Sequence, residues 1–314
     1  MSVATDTTTV EGGALDAPTG PPRKSSAASR LARLTGSTAV RFFLVVIGLL
    51  WLMPTVGLLT SSFRDPADIA SSGWWTAFGS SSFPWIVDLG QLTGANYDSL
   101  LGNAAITDSL WVTLAITIPS TLLVVVVGAA AAYAFACLDF PGRDWWFLLV
   151  VALLVVPVQV ALLPVAKLFN MMGIFETTLG VVLFHTAFGL PFAIFLLRNF
   201  FAEIPKELLE AARLDGAGEV RLFFRVILPL GGPAIASLSI FQFLWVWNDM
   251  LVALIFADSG SPPMTVALQQ QVRQFGNNID LLASGAFVSM VIPLAVFFAF
   301  QRQFVSGMMA GAVK

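Results

Sequence analysis

Long apolar runs, separated by short polar stretches, set the pattern of this chain. Six runs stand out, at residues 42–60, 110–136, 145–163, 179–197, 233–256 and 282–300. Each has the length of about 20 residues that an α-helix needs to cross a bilayer. Only the fifth contains a formal charge, Asp249. The pattern predicts an all-α integral membrane protein with six transmembrane helices. Pro157 and Pro191 fall inside predicted spans, where neighbouring helices tolerate a kink.

Composition agrees: 57% of the 314 residues are hydrophobic and 11% charged, against about 25% charged in a soluble domain. Residues 1–40 differ, being rich in Ser, Thr, Ala, Gly and Pro with basic residues near their end, and read as a disordered tail. A secretory signal would start its apolar core nearer Met1, so the run from Phe42 is expected to remain as a spanning helix. The single cysteine, Cys137, lies in an apolar run and excludes an intrachain disulfide.

Placing the first residue on the cytoplasmic side puts thirteen of the 16 Lys and Arg residues on that side and leaves Arg64, Lys167 and Arg273 outside. The positive-inside rule therefore predicts both termini cytoplasmic. The segment after the first span carries Asp65, Asp68, Asp88, Asp98 and Asp108 with Trp74 and Trp75, and is expected to lie on the outer surface. The glutamine-rich connection before the last span is longer than a plain turn and is suited to meeting a partner.

The stretch EAARLDGAGEVRLFFRVILP, beginning at Glu210, interrupts the apolar pattern between spans four and five. Pro205 suits a helix start and Gly216 a helix end, which predicts about three turns between them. Lys206, Glu207, Glu210 and Arg213 are spaced for an exposed ion-pair lattice, while Ala211 and Ala212 permit close approach of another surface. A second short helix is expected over 219–226, ended by Pro229 and Gly231. The expected product is a rigid cytoplasmic knob on a lever leading into span five. Two readings stay open from the residues: a contact for a partner, and a solvated loop whose charges hold topology.

Polar residues inside spans are costly and mark candidate sites. His185, Gln159 and Gln242 are each suited to interhelical hydrogen bonding or to lining a pathway. Gln242, Trp245, Trp247, Asn248 and Asp249 combine aromatic faces with amides and a carboxylate, the side chains that sugar recognition needs; an interfacial tryptophan belt at a polar helix end is the other reading. No GxxxxGK[ST] segment occurs, so a nucleotide has no P-loop here, and HExxH and GxSxG are also absent.

Glu210, Ala211, Ala212, Gly216, Val226, Leu228 and Pro229 follow the spacing E-A-A, three residues, G, nine residues, an aliphatic residue, one residue, L-P. This resembles the signature of the membrane subunits of bacterial ATP-binding-cassette importers, with Val226 at the usual Ile position. SFRDPADI, ANYDSLL, YAFACLDFPGR, FQFLWVWND and the closing AGAVK extend the likeness to the shorter subunit of carbohydrate importers of the maltose and α-glucoside type, over residues 41–314. The resemblance implies a coupling loop at 203–229, with Glu207, Glu210, Ala211, Ala212, Arg213, Asp215 and Gly216 meeting a separate ATPase, and a C-terminal cytoplasmic tail at 302–314. It further implies a non-catalytic permease of the bacterial plasma membrane without a cofactor of its own, ATP and Mg being bound by the ATPase pair. A second permease subunit, an extracytoplasmic sugar-binding lipoprotein and membrane lipid are the implied partners, with no nucleic acid. Maltose, trehalose or sucrose-like sugars are the implied substrates. In the resembled maltose system the longer subunit holds most of the sugar. Importers of glycerol phosphate look alike, and a stand-alone secondary transporter is the alternative of another class, though Asp249 is the only carboxylate within a predicted span.

Overall fold

A computed structural model of the chain describes residues 27–78, 91–275 and 279–312. The tail up to residue 26, Asp88 and Lys314, and the side chains of Arg273 and Arg302, lie outside the described residues. Helices account for nearly all of what is described. They are α1 (Ala27–Ser62), α2 (Pro66–Ser71), α3 (Ala95–Leu101), α4 (Ala104–Cys137), α5 (Arg143–Leu153), α6 (Val158–Met171) and α7 (Thr178–Ala202). Then come α8 (Lys206–Leu214), α9 (Glu219–Leu222), α10 (Leu228–Leu230), α11 (Gly232–Trp247), α12 (Leu251–Phe256), α13 (Met264–Phe275) and α14 (Ile279–Ala312). A 3-10 turn at Trp74–Phe78 and a π turn at Phe223–Ile227 complete the elements.

The chain divides into two compact units, up to Thr55 and from Val56 onward. In the first, α1 begins at Ala27, well ahead of the boundary at 40 that composition suggests. The segment AASRLARL is made largely of Ala, Leu and Arg, strong helix formers. Phe42, Leu49 and Trp51 in this unit are exposed, as lipid-facing side chains are.

In the second unit α4 and α7 form the most extensive pairing, with α11 against α4 and α14. At 34 residues, α4 is about 51 Å long, which exceeds the bilayer's apolar core of about 30 Å. Small residues let α4 and α7 approach: a Cβ added at Gly128 would lie 2.8 Å from the Cβ of Ala193. Several hydroxyls buried in these helices are satisfied locally: Thr113, Ser120, Thr186 and Ser237 each donate to a carbonyl one turn back.

Among the described residues four helices are long and apolar enough to cross a membrane as they stand, and up to six spans result if two bent pairs each count as one. The third predicted span is therefore not a straight helix: α5 and α6 meet at 102°. Pro157 is the cause, because it lacks an N–H and forces the residue before it toward extended backbone. The fifth predicted span is also recast. It is broken between Trp247 and Leu251, while a 76° bend between Glu219–Leu230 and Gly232–Trp247 lies just ahead of it. Pro229 does not end the second short helix, as the sequence suggested. The π turn lies just ahead of Pro229, and the helical path runs through it to Leu230. A widened turn relieves the clash between a proline ring and the carbonyl four residues back. Gly231 does mark the bend, where a Cβ would lie 2.5 Å from the Phe201 ring.

Beyond α1, Arg64 is 1% exposed and donates to the carbonyls of Asp68 and Gly73 and to Gln91 Oε1. Asn96 Nδ2 donates to the carbonyls of Ser62 and Arg64 at 3.1 and 2.8 Å. This polar knot shapes the loop that carries α2 and the 3-10 turn. Replacing Gly128 by Val is expected to destabilise the α4–α7 pair by about 1–3 kcal/mol, seen as a lower Tm in detergent; an unchanged Tm would contradict that packing.

Candidate functional site

Helix α8 starts at Lys206 with Pro205 as its N-cap, one residue later than the sequence suggested. It closes as the sequence predicts. Gly216 takes φ +81°, the left-handed region that a glycine enters without a Cβ clash. The Gly216 N–H donates to the Arg213 carbonyl and the Ala217 N–H to the Ala212 carbonyl, both at 3.0 Å, which is a Schellman closure. Leu209 is buried in the bundle core beside Leu197 and Phe201, while Glu207, Glu210, Ala211, Asp215 and Gly216 are exposed and Ala212 is half-buried. The helix is thus anchored by one face and free on the other.

The expected ion-pair lattice does not form. Lys206, Glu207 and Glu210 make no ion pair; among the described residues the pair on this segment is Arg213 with Glu219, at 2.9 Å. Exposed pairs four apart on a helix gain little against the entropy of ordering two long side chains. Arg213 is held differently. Its Nε and Nη2 donate to the two oxygens of Glu219 at 2.9 and 3.3 Å, and Nη2 also donates to the Cys137 carbonyl at 3.2 Å. Hydrogen bonding to Glu219 holds the Arg213 guanidinium above its ordinary pKa range. Tyr133 of α4 donates its hydroxyl to the other side of the same carboxylate. One carboxylate therefore joins α4, α8 and α9, and Arg213 also satisfies a carbonyl at the end of α4.

Sequence reasoning paired Arg213 with its near neighbours and missed Glu219 and Tyr133 as partners. Tyr133 is the only tyrosine in an apolar run, and a lone phenol there needs a partner; that was the available signal.

A second polar cluster lies at the opposite end of the bundle, where α11 stops. Asp249 sits in the break and accepts the N–H groups of Val252 and Ala253 on Oδ2, each at 3.1 Å, capping α12. Thr265 of α13 donates to the Asp249 carbonyl at 2.7 Å. His185 Nε2 of α7 faces Asp249 Oδ2 at 3.7 Å, longer than a direct hydrogen bond. Trp245 stands edge-on to His185 with ring centroids 5.5 Å apart. His185 Nδ1 and Thr117 Oγ1 have no hydrogen-bond partner among the described residues.

The five pathway candidates separate. Trp247 is 1% exposed, stacks on Phe243 and donates its indole N–H to the Ser289 carbonyl at 3.1 Å. Gln242 is buried at the α7–α11 contact, against Gly189. Both pack within the bundle, and Trp247 also lines a small hollow with His185 and Asp249. Trp245 and Asn248 remain exposed, and Asp249 is half-buried. Gln159 is exposed near the start of α6.

Residues 125–309 match the family described as binding-protein-dependent transport system inner membrane component. The osmoprotective compounds uptake permease protein GgtD of Synechocystis sp. is 44% identical over 278 residues, covering 88% of this chain and 91% of its own length. The alpha-glucoside transport system permease protein AglG of Rhizobium meliloti is 35% identical over 367 residues, covering 88% of this chain and 97% of its own. Among solved structures, a bacterial ABC transporter involved in import of the acidic polysaccharide alginate matches with a TM-score of 0.68 at 19% identity, over 90% of this chain and 99% of that one. At that identity the likeness shows the fold alone.

Replacing Gly216 by Val is expected to cost about 1–2 kcal/mol locally, read as faster amide exchange at residues 216 and 217. Exchange at the wild-type rate would contradict the left-handed closure.

Proposed function

Because this chain belongs to the family of binding-protein-dependent transport inner membrane components, we propose that it is the permease subunit of an ATP-driven sugar importer. It pairs with a second membrane subunit and forms half of the pathway. The knob made by α8 and α9 is the coupling element: both termini and the knob face the cytoplasm, as the Lys and Arg distribution favours, and a separate ATPase pair that holds ATP and Mg docks on it. An extracytoplasmic binding protein delivers the sugar to the opposite face. This chain performs no covalent chemistry.

The observation that carries this reading is the attachment of the knob. Exposed Glu207, Glu210 and Ala211 lie on a helix whose other face is fixed to α4 through Arg213, Glu219 and Tyr133 and to the core through Leu209. A push on such a helix moves the bundle instead of dissipating in a loop. ATP drives the cycle only through its different affinity for the two conformations. A solvated loop holding topology would need no such tie.

The names of relatives guide the substrate class. Trp245, Asn248 and Asp249 supply an exposed aromatic and polar cluster suited to a glycosyl ring, and an α-glucoside or related osmoprotective glycoside is the proposed cargo. Thermal shifts of the complex with its binding protein, compared between α-glucosides and phosphate esters, separate this cargo from glycerol phosphate.

Glu210 is exposed and makes no ion pair, so Glu210→Lys is expected to leave membrane insertion and Tm unchanged. In proteoliposomes containing all subunits it is expected to lower ATP-dependent uptake about tenfold or more, the loss of about 1.4 kcal/mol of coupling contact. Normal uptake by this variant, or uptake by vesicles lacking any ATPase, would contradict the proposal.

A further inference from the structure

Two adjoining hollows meet at Glu219. The first, about 710 Å3, is walled almost entirely by apolar side chains, among them Val126 and Ala130 of α4, Phe223 and Phe224 of the π turn and Ile235 of α11. The second, about 490 Å3, shares Glu219, Val220 and Phe224 with the first and is lined by Arg221 and Arg225. Volumes of roughly 300–1,000 Å3 are those of sites for small organic ligands.

Charge is distributed unevenly around them. Glu219 is the one acid lining either hollow, and Tyr133 and Arg213 already engage both of its oxygens. Arg221 and Arg225 are exposed and make no ion pair among the described residues. An apolar groove thus opens beside two guanidinium groups with no acid left to oppose them. Guanidinium forks match phosphate oxygens in planar, paired hydrogen bonds. A neutral helix from a protein partner would fill the groove and leave the two cations uncompensated.

We propose that the two hollows together hold one anionic phospholipid, its phosphate on Arg221 and Arg225 and an acyl chain along Val126, Ala130 and Phe224. The assignment to the cytoplasmic leaflet rests on the permease reading; the binding itself rests on the groove and its charges. The chain packs against the π turn and the bend at Gly231, so the lipid stiffens the joint between knob and α11.

The test uses the full chain in nanodiscs of equal parts phosphatidylcholine and phosphatidylglycerol, with retained lipid counted by native mass spectrometry. It requires neither transport nor an ATPase, so its failure is distinct from failure of the permease reading. Two arginines, each worth about fivefold, predict a preference of about twenty-five-fold for phosphatidylglycerol. Arg221→Gln with Arg225→Gln is expected to reduce the preference to near unity, and Arg221→Lys with Arg225→Lys to keep most of it. Ala130→Trp, which fills the groove and leaves both arginines, is expected to lower retention of both lipids. Equal retention by the wild-type chain would overturn the proposal. So would an undiminished preference in the Gln variant, or a Gln variant that keeps its lipid and loses only its hold on a protein partner.

Discussion

The Glu219 carboxylate is the interaction on which the knob depends. It sits in a segment only four residues long, α9, which has no stability of its own. What fixes that segment comes from other helices: the Arg213 fork from α8 on both carboxylate oxygens and the Tyr133 hydroxyl from α4 on Oε2. Through Arg213 the same network reaches the Cys137 carbonyl. Leu209, Leu222 and Ile227 then seal the joint with buried apolar contact. Removing one partner from such a charge-assisted set leaves the others poorly satisfied, so the set acts as a unit. The knob is therefore an extension of α4.

The opposite end is built on a different compromise. Breaking a helix within a bilayer exposes backbone groups that lipid cannot satisfy, and the path through α11 and α12 is broken at Asp249. The carboxylate supplies the missing acceptors for Val252 and Ala253, and Thr265 and Thr113 tie α13 back to the same region. His185 of α7 and Trp245 of α11 complete a polar and aromatic cluster at the far end of the same bundle from the knob. Rigid α4 and α7, in close contact through Gly128 and Ala193, connect the two ends.

Much of this was legible in the residues. Runs of apolar side chains marked the membrane-suited segments, found as four continuous helices and two bent pairs among the described residues, because length and composition decide whether a helix suits a bilayer. Gly216 announced the end of α8, because only a residue without a Cβ takes φ +81° at no steric cost. Bends were less legible. Pro157 and Pro229 both interrupt hydrogen bonding, yet one produces a 102° break and the other a π turn that carries the helix onward; surrounding packing decides which. The ion-pair lattice failed for a related reason. Spacing along one helix identifies neighbours four residues away, whereas the partner of Glu219 on α4 is 86 residues away in sequence. Composition alone did not tell that Trp247 and Gln242 lie on packed faces of α11 while Trp245 and Asn248 lie exposed.

On the proposed reading, the Glu219 network makes the knob move as one body with α4. The most direct measurement is the ratio of solute imported to ATP hydrolysed, by the complete complex in proteoliposomes, for wild type and Glu219→Gln. The account predicts an assembled complex whose ATPase still turns over while the ratio falls several-fold. An unchanged ratio in a complex that retains its subunits would contradict it.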